Sequence, residues 1–320
     1  MQKHNTLVDN TSTTSNLTKW THYEVNSPLG LIVLRGIIYI AIIITNILIL
    51  ATFVIMRKRK LQHHLMICLA LVDLLTVPAQ TPAMVAVWKD GILLTDVLCN
   101  FTSILFQTTL AATTWLHVAI CIEKCYSILR PLRHKLCLTQ YRSSFVALTI
   151  TLVELSVILT LMTVLTFTGN LHLHFTPTNT LCTYTINLDY LLVIGMPYVV
   201  LPLAVVLVTH TLMLREIKKS CTHRRRRLLR GLKTVALTVC IYYICWVPFL
   251  VIVILKSSFS LLDAVSPGSP NMVAYYFVLS NSAMNFFIFI HCMNEFCEQF
   301  KGLFCSRNRR RVRCYASDHT

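Results

Sequence analysis

Seven long apolar runs separated by short polar gaps order the chain, at approximately residues 31–56, 65–88, 98–122, 145–167, 188–214, 232–255 and 272–292. Each suffices for a helix crossing a hydrocarbon core of roughly 30 Å, which takes about 20 mostly apolar residues. The pattern predicts an all-α membrane protein, a seven-transmembrane helix bundle with no inserted soluble domain. One gap has a different period. Leu171, His172, Leu173, His174 and Phe175 alternate in polarity, as do Thr183, Tyr184, Thr185 and Ile186. This predicts a short β-hairpin lid over the bundle.

Composition agrees, since 55% hydrophobic against 13% charged residues is a membrane-protein balance. The charges orient the chain. Of its 29 Lys and Arg, only Lys3, Lys19, Lys89 and Lys256 fall in the N-terminal tail or the alternate gaps, and Arg35 sits near the start of the first run. The rest, including Arg57-Lys58-Arg59-Lys60 and Arg224-Arg225-Arg226-Arg227, crowd every second gap and the C-terminal tail. Cytoplasmic loops carry such an excess, so the N-terminus is expected outside and the C-terminus in the cytoplasm. The net charge of +16 is then a topology signal that also attracts anionic membrane lipids, by about 1 kcal/mol per charge. It is not a nucleic-acid surface. Residues 1–30 are too polar for a cleaved signal peptide, so the first run is expected to target the chain. That tail carries glycosylation acceptors at Asn10 and Asn16 on the expected outer side.

Thirteen cysteines sort by depth. Six lie in the runs or, for Cys125, one helical turn past the third, and Cys137, Cys221, Cys297, Cys305 and Cys314 face the reducing cytoplasm. Only Cys99 and Cys182 remain outside, so by elimination they form the expected disulfide. His172 and His174 lack a third ligand and are read as ordinary lid residues rather than a metal site.

Ionisable groups within spans are expensive and therefore functional candidates. Asp73 lies midway in the second run, and Asn46, Thr113, Asn281, Ser282 and Asn285 are polar residues of other runs. Such a ring holds either a small hard cation with water or a hydrogen-bonded polar core with no ion, and spacing alone does not choose. Asp73 and Glu154 are read as the only charges deep in the spans, Glu154 either paired or kept protonated by burial. Pro78, Pro82, Pro202 and Pro248 are expected to break and kink their helices, and Pro248 gives the sixth run a pivot beside Trp246.

In order and register, these residues resemble the rhodopsin-like (class A) G-protein-coupled receptors over nearly the whole chain. The resemblance rests on Asn46, Leu69 with Asp73, Cys99, Cys182, Pro202, Cys245-Trp246-Val247-Pro248, Asn281-Ser282 with Asn285, and an amphipathic segment bearing Phe296 and Phe300. Glu123-Lys124-Cys125, with Ile128, Pro131 and Leu132, stands where the family has its Asp/Glu-Arg-Tyr motif. The resemblance implies an extracellular tail at 1–30, the bundle at 31–292, an eighth helix at 293–305 and a cytoplasmic tail at 306–320. It implies an agonist entering from outside, Trp246 sensing it, and an outward swing of the sixth helix that admits a heterotrimeric G protein at the plasma membrane. It further implies a sodium ion at Asp73, Thr113, Asn281, Ser282 and Asn285, and palmitoylation at Cys305.

Four departures qualify it. Lys124 replaces arginine and loses the planar five-donor fork, His210 stands in place of a tyrosine, Asn285-Phe286 with Phe289 replaces Asn-Pro-x-x-Tyr, and the fourth run has no tryptophan. The switch residues are therefore Glu123, Lys124, His210, Trp246, Pro248 and Phe289. By matching position the ligand pocket takes Gln80, Phe106, Gln107, Tyr198, Trp246, Phe249, Tyr275 and Leu279.

Phe106 where amine receptors carry aspartate, and no lysine between Lys256 and Lys301, set aside amine receptors and opsins. The hairpin lid and the Asn-Phe ending favour a peptide and resemble neuropeptide receptors of the FMRFamide-receptor type. A small odorant or lipid is the main rival, and a decoy or dimer partner that does not signal is another. Few phosphorylation sites follow Cys305, so arrestin recruitment is expected to be weak. A transporter lacks its internal repeats, and no catalytic fingerprint points to an enzyme.

Overall fold

The computed structural model describes residues 29–56, 59–88, 96–130, 133–134, 140–167, 173–175, 182–184, 200–219, 232, 236–237, 240–249, 251 and 269–303. Within them run α1 (Leu29–Ile55), α2 (Leu61–Trp88), α3 (Asp96–Leu129), α4 (Gln140–Phe167), strands β1 (Leu173–Phe175) and β2 (Cys182–Tyr184), α5 (Leu201–Lys219), α6 (Cys240–Phe249), α7 (Ser269–Cys292) and α8 (Asn294–Leu303). Four helices contain stretches long and apolar enough to cross a membrane, Val33–Ile55, Leu61–Ala79, Ile104–Leu129 and Arg142–Leu161, and the bent pair of α7 and α8 adds a fifth.

α3 and α4 extend beyond their apolar runs. α3 continues past 122 through Glu123 and Lys124, and α4 starts at Gln140 rather than 145. Apolar residues mark the hydrocarbon, whereas backbone hydrogen bonds carry a helix on into the polar zone. The expected break at Pro78 and Pro82 is corrected: α2 is one helix across both. Pro202 lies in the first turn of α5 and Pro248 in the last turn of α6. Each proline removes one N–H, which a bundle tolerates when the freed carbonyl finds another partner.

The outer faces are those of a membrane protein. α1 exposes Val33, Ile37, Ile40, Ile44, Ile47 and Val54 while burying Ile38, Ile42, Ile49 and Phe53. A helix apolar on both faces suits a lipid boundary, not water. Its polar side chains satisfy themselves on the backbone: Thr45 Oγ1 donates to the Ala41 carbonyl at 2.7 Å and Thr52 Oγ1 to that of Leu48 at 2.7 Å. The chain turns out of α1 with Arg59, whose Nε donates to the Phe53 carbonyl at 2.9 Å and whose Nη2 donates to that of Val54 at 3.0 Å. These are the carbonyls a helix C-terminus leaves open.

The interior is two apolar layers with a polar one between. One layer gathers Ile38, Ile42, Phe106, Leu110, Tyr242, Trp246 and Leu279. The other gathers Ile49, Phe53, Leu65, Leu69, Leu116, Phe286, Phe289 and Phe296. On α1, α2 and α7, the buried Asn46, Asp73 and Asn285 fall between the two sets in sequence. The hairpin forms as its alternation predicts, β1 and β2 pairing antiparallel with His174 opposite Thr183 and Phe175 opposite Cys182, and both strands contact α3.

At Met293 the chain bends by 101° from α7 into α8. Phe286 and Phe289, which take the places of the family's proline and tyrosine, pack there. The Phe286 ring lies 6.2 Å from Phe296 and 5.2 Å from Phe300, and Phe289 lies 6.0 Å from Phe296. Phe53 closes the set at 5.3 Å from Phe296.

Candidate functional site

Asp73 is fully buried and takes hydrogen bonds from two other helices. Thr113 Oγ1 donates to its Oδ1 at 2.9 Å, Ser282 Oγ to the same oxygen at 2.8 Å, and Asn285 Nδ2 to Oδ2 at 2.8 Å. Asn46 ties in α1, its Nδ2 donating to the Ile42 carbonyl at 2.9 Å and the Ser282 carbonyl at 3.1 Å. The polar ring read from the sequence is therefore assembled, with one exception. Asn281 is buried on α7 but gives the carboxylate no hydrogen bond.

The ring has a member that sequence reasoning missed. His117, inside α3, sets Nδ1 2.7 Å from the Thr113 carbonyl and Nε2 3.0 Å from Asn285 Oδ1. It corrects the reading that only Asp73 and Glu154 carry ionisable groups deep in the spans. The signal was available, since His117 follows Thr113 by one helical turn and so shares its face.

Above the ring, Trp246 stacks on Tyr242 with centroids 5.6 Å apart and planes at 28°, and meets Phe249 edge-on at 6.3 Å. Phe106 and Leu279 are buried in the same cluster. Tyr242 is hydrogen-bonded to Thr114, the neighbour of Thr113, so α6 reaches the polar ring through α3. Tyr242 and His117 also line a small cleft among α3, α5 and α6, with Thr114, Pro202, Leu203 and Val206. Among the described residues the Trp246 Nε1 proton is buried without a partner, so a group aimed at it gains a hydrogen bond. Gln107 is half-buried on α3. Tyr198 and the side chains of Gln80 and Tyr275 lie outside the described residues.

At the other end of α3, Glu123 is paired, though not with Lys124. Its Oε1 lies 2.8 Å from His134 Nε2, with both side chains largely buried, while Glu123 Oε2 is buried without a partner among the described residues. Among the described residues Lys124 makes no ion pair. His210, on α5, buries its Nδ1 without a partner, as Glu154 on α4 does its Oε2. Glu154 has no ion pair among the described residues, and the geometry gives it no role. Pro248 lies on α6, half-buried. Lys60 Nζ meets Glu295 Oε1 at 2.7 Å, joining the turn after α1 to α8. Burial pushes the Glu295 carboxyl up, but the Lys60 hydrogen bond and charge, with His63 and Lys124, more than offset this and hold it below the usual carboxylate range.

The backbones of Cys99 and Cys182 belong to α3 and β2, which are in contact; their side chains, with Asn10, Asn16 and Cys305, lie outside the described residues. No group of three or more His, Cys, Asp or Glu placed to hold a metal occurs among the described residues.

No curated protein matches the sequence. The chain does match the 7 transmembrane receptor (rhodopsin family) over residues 45–293. That stretch runs from the polar ring's α1 member to the bend before α8 and takes in Trp246 and the Glu123-Lys124 pair. Members of that family are receptors and not enzymes. The chain is a multi-pass membrane protein, and it belongs to the rhodopsin family of seven-transmembrane receptors.

Proposed function

We propose that this receptor binds an extracellular peptide between its seven helices at the plasma membrane and activates heterotrimeric G proteins from the opposite face. The observation that carries the reading is that Trp246, stacked on Tyr242, connects to Thr114 on α3, the chain neighbour of Thr113, which belongs to the polar ring of Asp73, Ser282 and Asn285. A ligand that moves Trp246 changes the packing of α6 on α3 and so reaches the joint that ties α2, α3 and α7. The basic gaps support a cytoplasmic side holding the inner ends of α3, α5 and α6. The hairpin on α3 supports a peptide, because a strand edge can offer backbone hydrogen bonds to an extended chain. A Cys99–Cys182 disulfide would fix that lid.

A second reading is a receptor that binds without signalling. It is favoured by one observation, that His134 and not Lys124 takes the Glu123 carboxylate, which leaves the altered motif outside its usual pairing. A G-protein dissociation assay across all G-protein families, screened with a peptide library and in parallel with lipid and odorant sets, tests both readings. A peptide hit with G-protein dissociation supports the proposal. A lipid or odorant hit replaces its ligand class, and saturable peptide binding without dissociation establishes the second reading.

A further inference from the structure

The family resemblance implies sodium at the polar ring, and the ring's own hydrogen bonds do not suit it. We infer that His117 and Asp73 together form a site with no net charge inside the chain, so that the ring excludes a sodium ion. Both carboxylate oxygens of Asp73 are already engaged by Thr113, Ser282 and Asn285. Asn285 presents nitrogen, not oxygen, to the carboxylate and thus adds a donor where a cation needs a ligand. Among the described residues, the ring's one buried oxygen left without a partner is Asn46 Oδ1, whereas hard cations gather about six oxygens.

Charge gives the stronger argument. His117 Nδ1 faces the Thr113 carbonyl, which only accepts, so Nδ1 carries a hydrogen. With Asn285 Nδ2 on Asp73, Asn285 Oδ1 faces His117 Nε2, and Nε2 must donate as well. The imidazole is then a cation and Asp73 an anion. Turning the Asn285 amide over, the other assignment of its O and N, places Oδ1 against Asp73 Oδ2. Asp73 must then hold the proton, and His117 Nε2 accepts as a neutral ring. Asp73 and His117 together are neutral in both arrangements. His117 is joined to the carboxylate through Asn285, whose side chain meets both groups. A buried anion with no internal partner would recruit a cation from solvent to offset its desolvation; this one has its partner on α3.

The inference concerns the resting chain and is independent of whether it couples to a G protein. The full-length receptor is purified into nanodiscs and its melting temperature compared in sodium chloride and N-methylglucamine chloride at equal ionic strength. The wild type is expected to melt at the same temperature in both. His117→Leu, and His117→Gln as a polar alternative if the leucine variant does not fold, leave Asp73 without a cation. Each is expected to gain a saturable stabilisation by sodium that Asp73→Asn removes. A wild type stabilised by sodium, with Asp73→Asn abolishing the effect, overturns the inference. So do folded His117 variants that remain blind to sodium. Should neither variant fold, the wild-type comparison alone decides.

Discussion

Asn285 turns its amide nitrogen to Asp73, 2.8 Å from Oδ2, and its oxygen is thereby left to His117. One side chain of α7 thus bridges α2 and α3 at mid-membrane. Asn285→Ala strips a partner from two buried groups at once, each worth about 1–3 kcal/mol when left unsatisfied. The variant is expected to melt several degrees below wild type. An unchanged melting temperature would mean that the bridge does not hold the resting state.

The Glu123–His134 pair predicts a gain rather than a loss. His134→Ala leaves the buried Glu123 carboxylate without the hydrogen bond it has at Oε1, while Oε2 already lacks one. The resting inner face is destabilised, and basal nucleotide exchange is expected to rise by roughly tenfold for each 1.4 kcal/mol lost. A fall in basal exchange with normal surface expression would contradict this role.

The bundle, the hairpin and most of the polar ring were legible because each is written locally. Apolar runs, a two-residue alternation and single polar residues inside runs need no knowledge of the neighbours. His117 and His134 were not legible in the same way. Histidine is common at helix ends and in cores, and only the approach of α7 to α3, or of the turn after α3 to Glu123, gives either ring its partner. The aromatic set at the α7–α8 bend was hidden for a related reason. Phe286 and Phe289 read as lost motif residues until Phe53, Phe296 and Phe300 are brought around them.

That set predicts an asymmetric result for motif repair. A proline at 286 would free the Ser282 carbonyl, which already accepts from Asn46 Nδ2 at 3.1 Å, so the backbone is provided for. The lost ring is not. Phe286→Pro is expected to fold but to raise hydrogen exchange across 294–303. Phe289→Tyr buries a hydroxyl among phenylalanines and is expected to cost about 1–3 kcal/mol, read as a lower melting temperature.

Glu295 adds a pH dependence. A carboxyl held low in the folded state stabilises it above the unfolded carboxylate range, near pH 4, and that contribution fades as pH falls through the lower folded value. Docking of α8, followed by exchange at 294–303, is expected to be flat from pH 8 to about pH 5 and to loosen in stronger acid. Glu295→Gln removes the dependence. An exposed pair of this kind is worth at most about 1 kcal/mol, so global unfolding moves little.

The central claim is that the receptor passes a signal to G proteins through the inner end of α3, with Lys124 as its altered contact. The most direct measurement is GDP release from a panel of purified heterotrimeric G proteins by the receptor in nanodiscs, comparing wild type, Lys124→Arg and Lys124→Ala. The account predicts release from at least one G-protein family by wild type, faster release by the arginine variant, which restores the five-donor fork, and none by the alanine variant. No release from any family by either wild type or Lys124→Arg, at matched receptor levels and with a bound ligand, would contradict it.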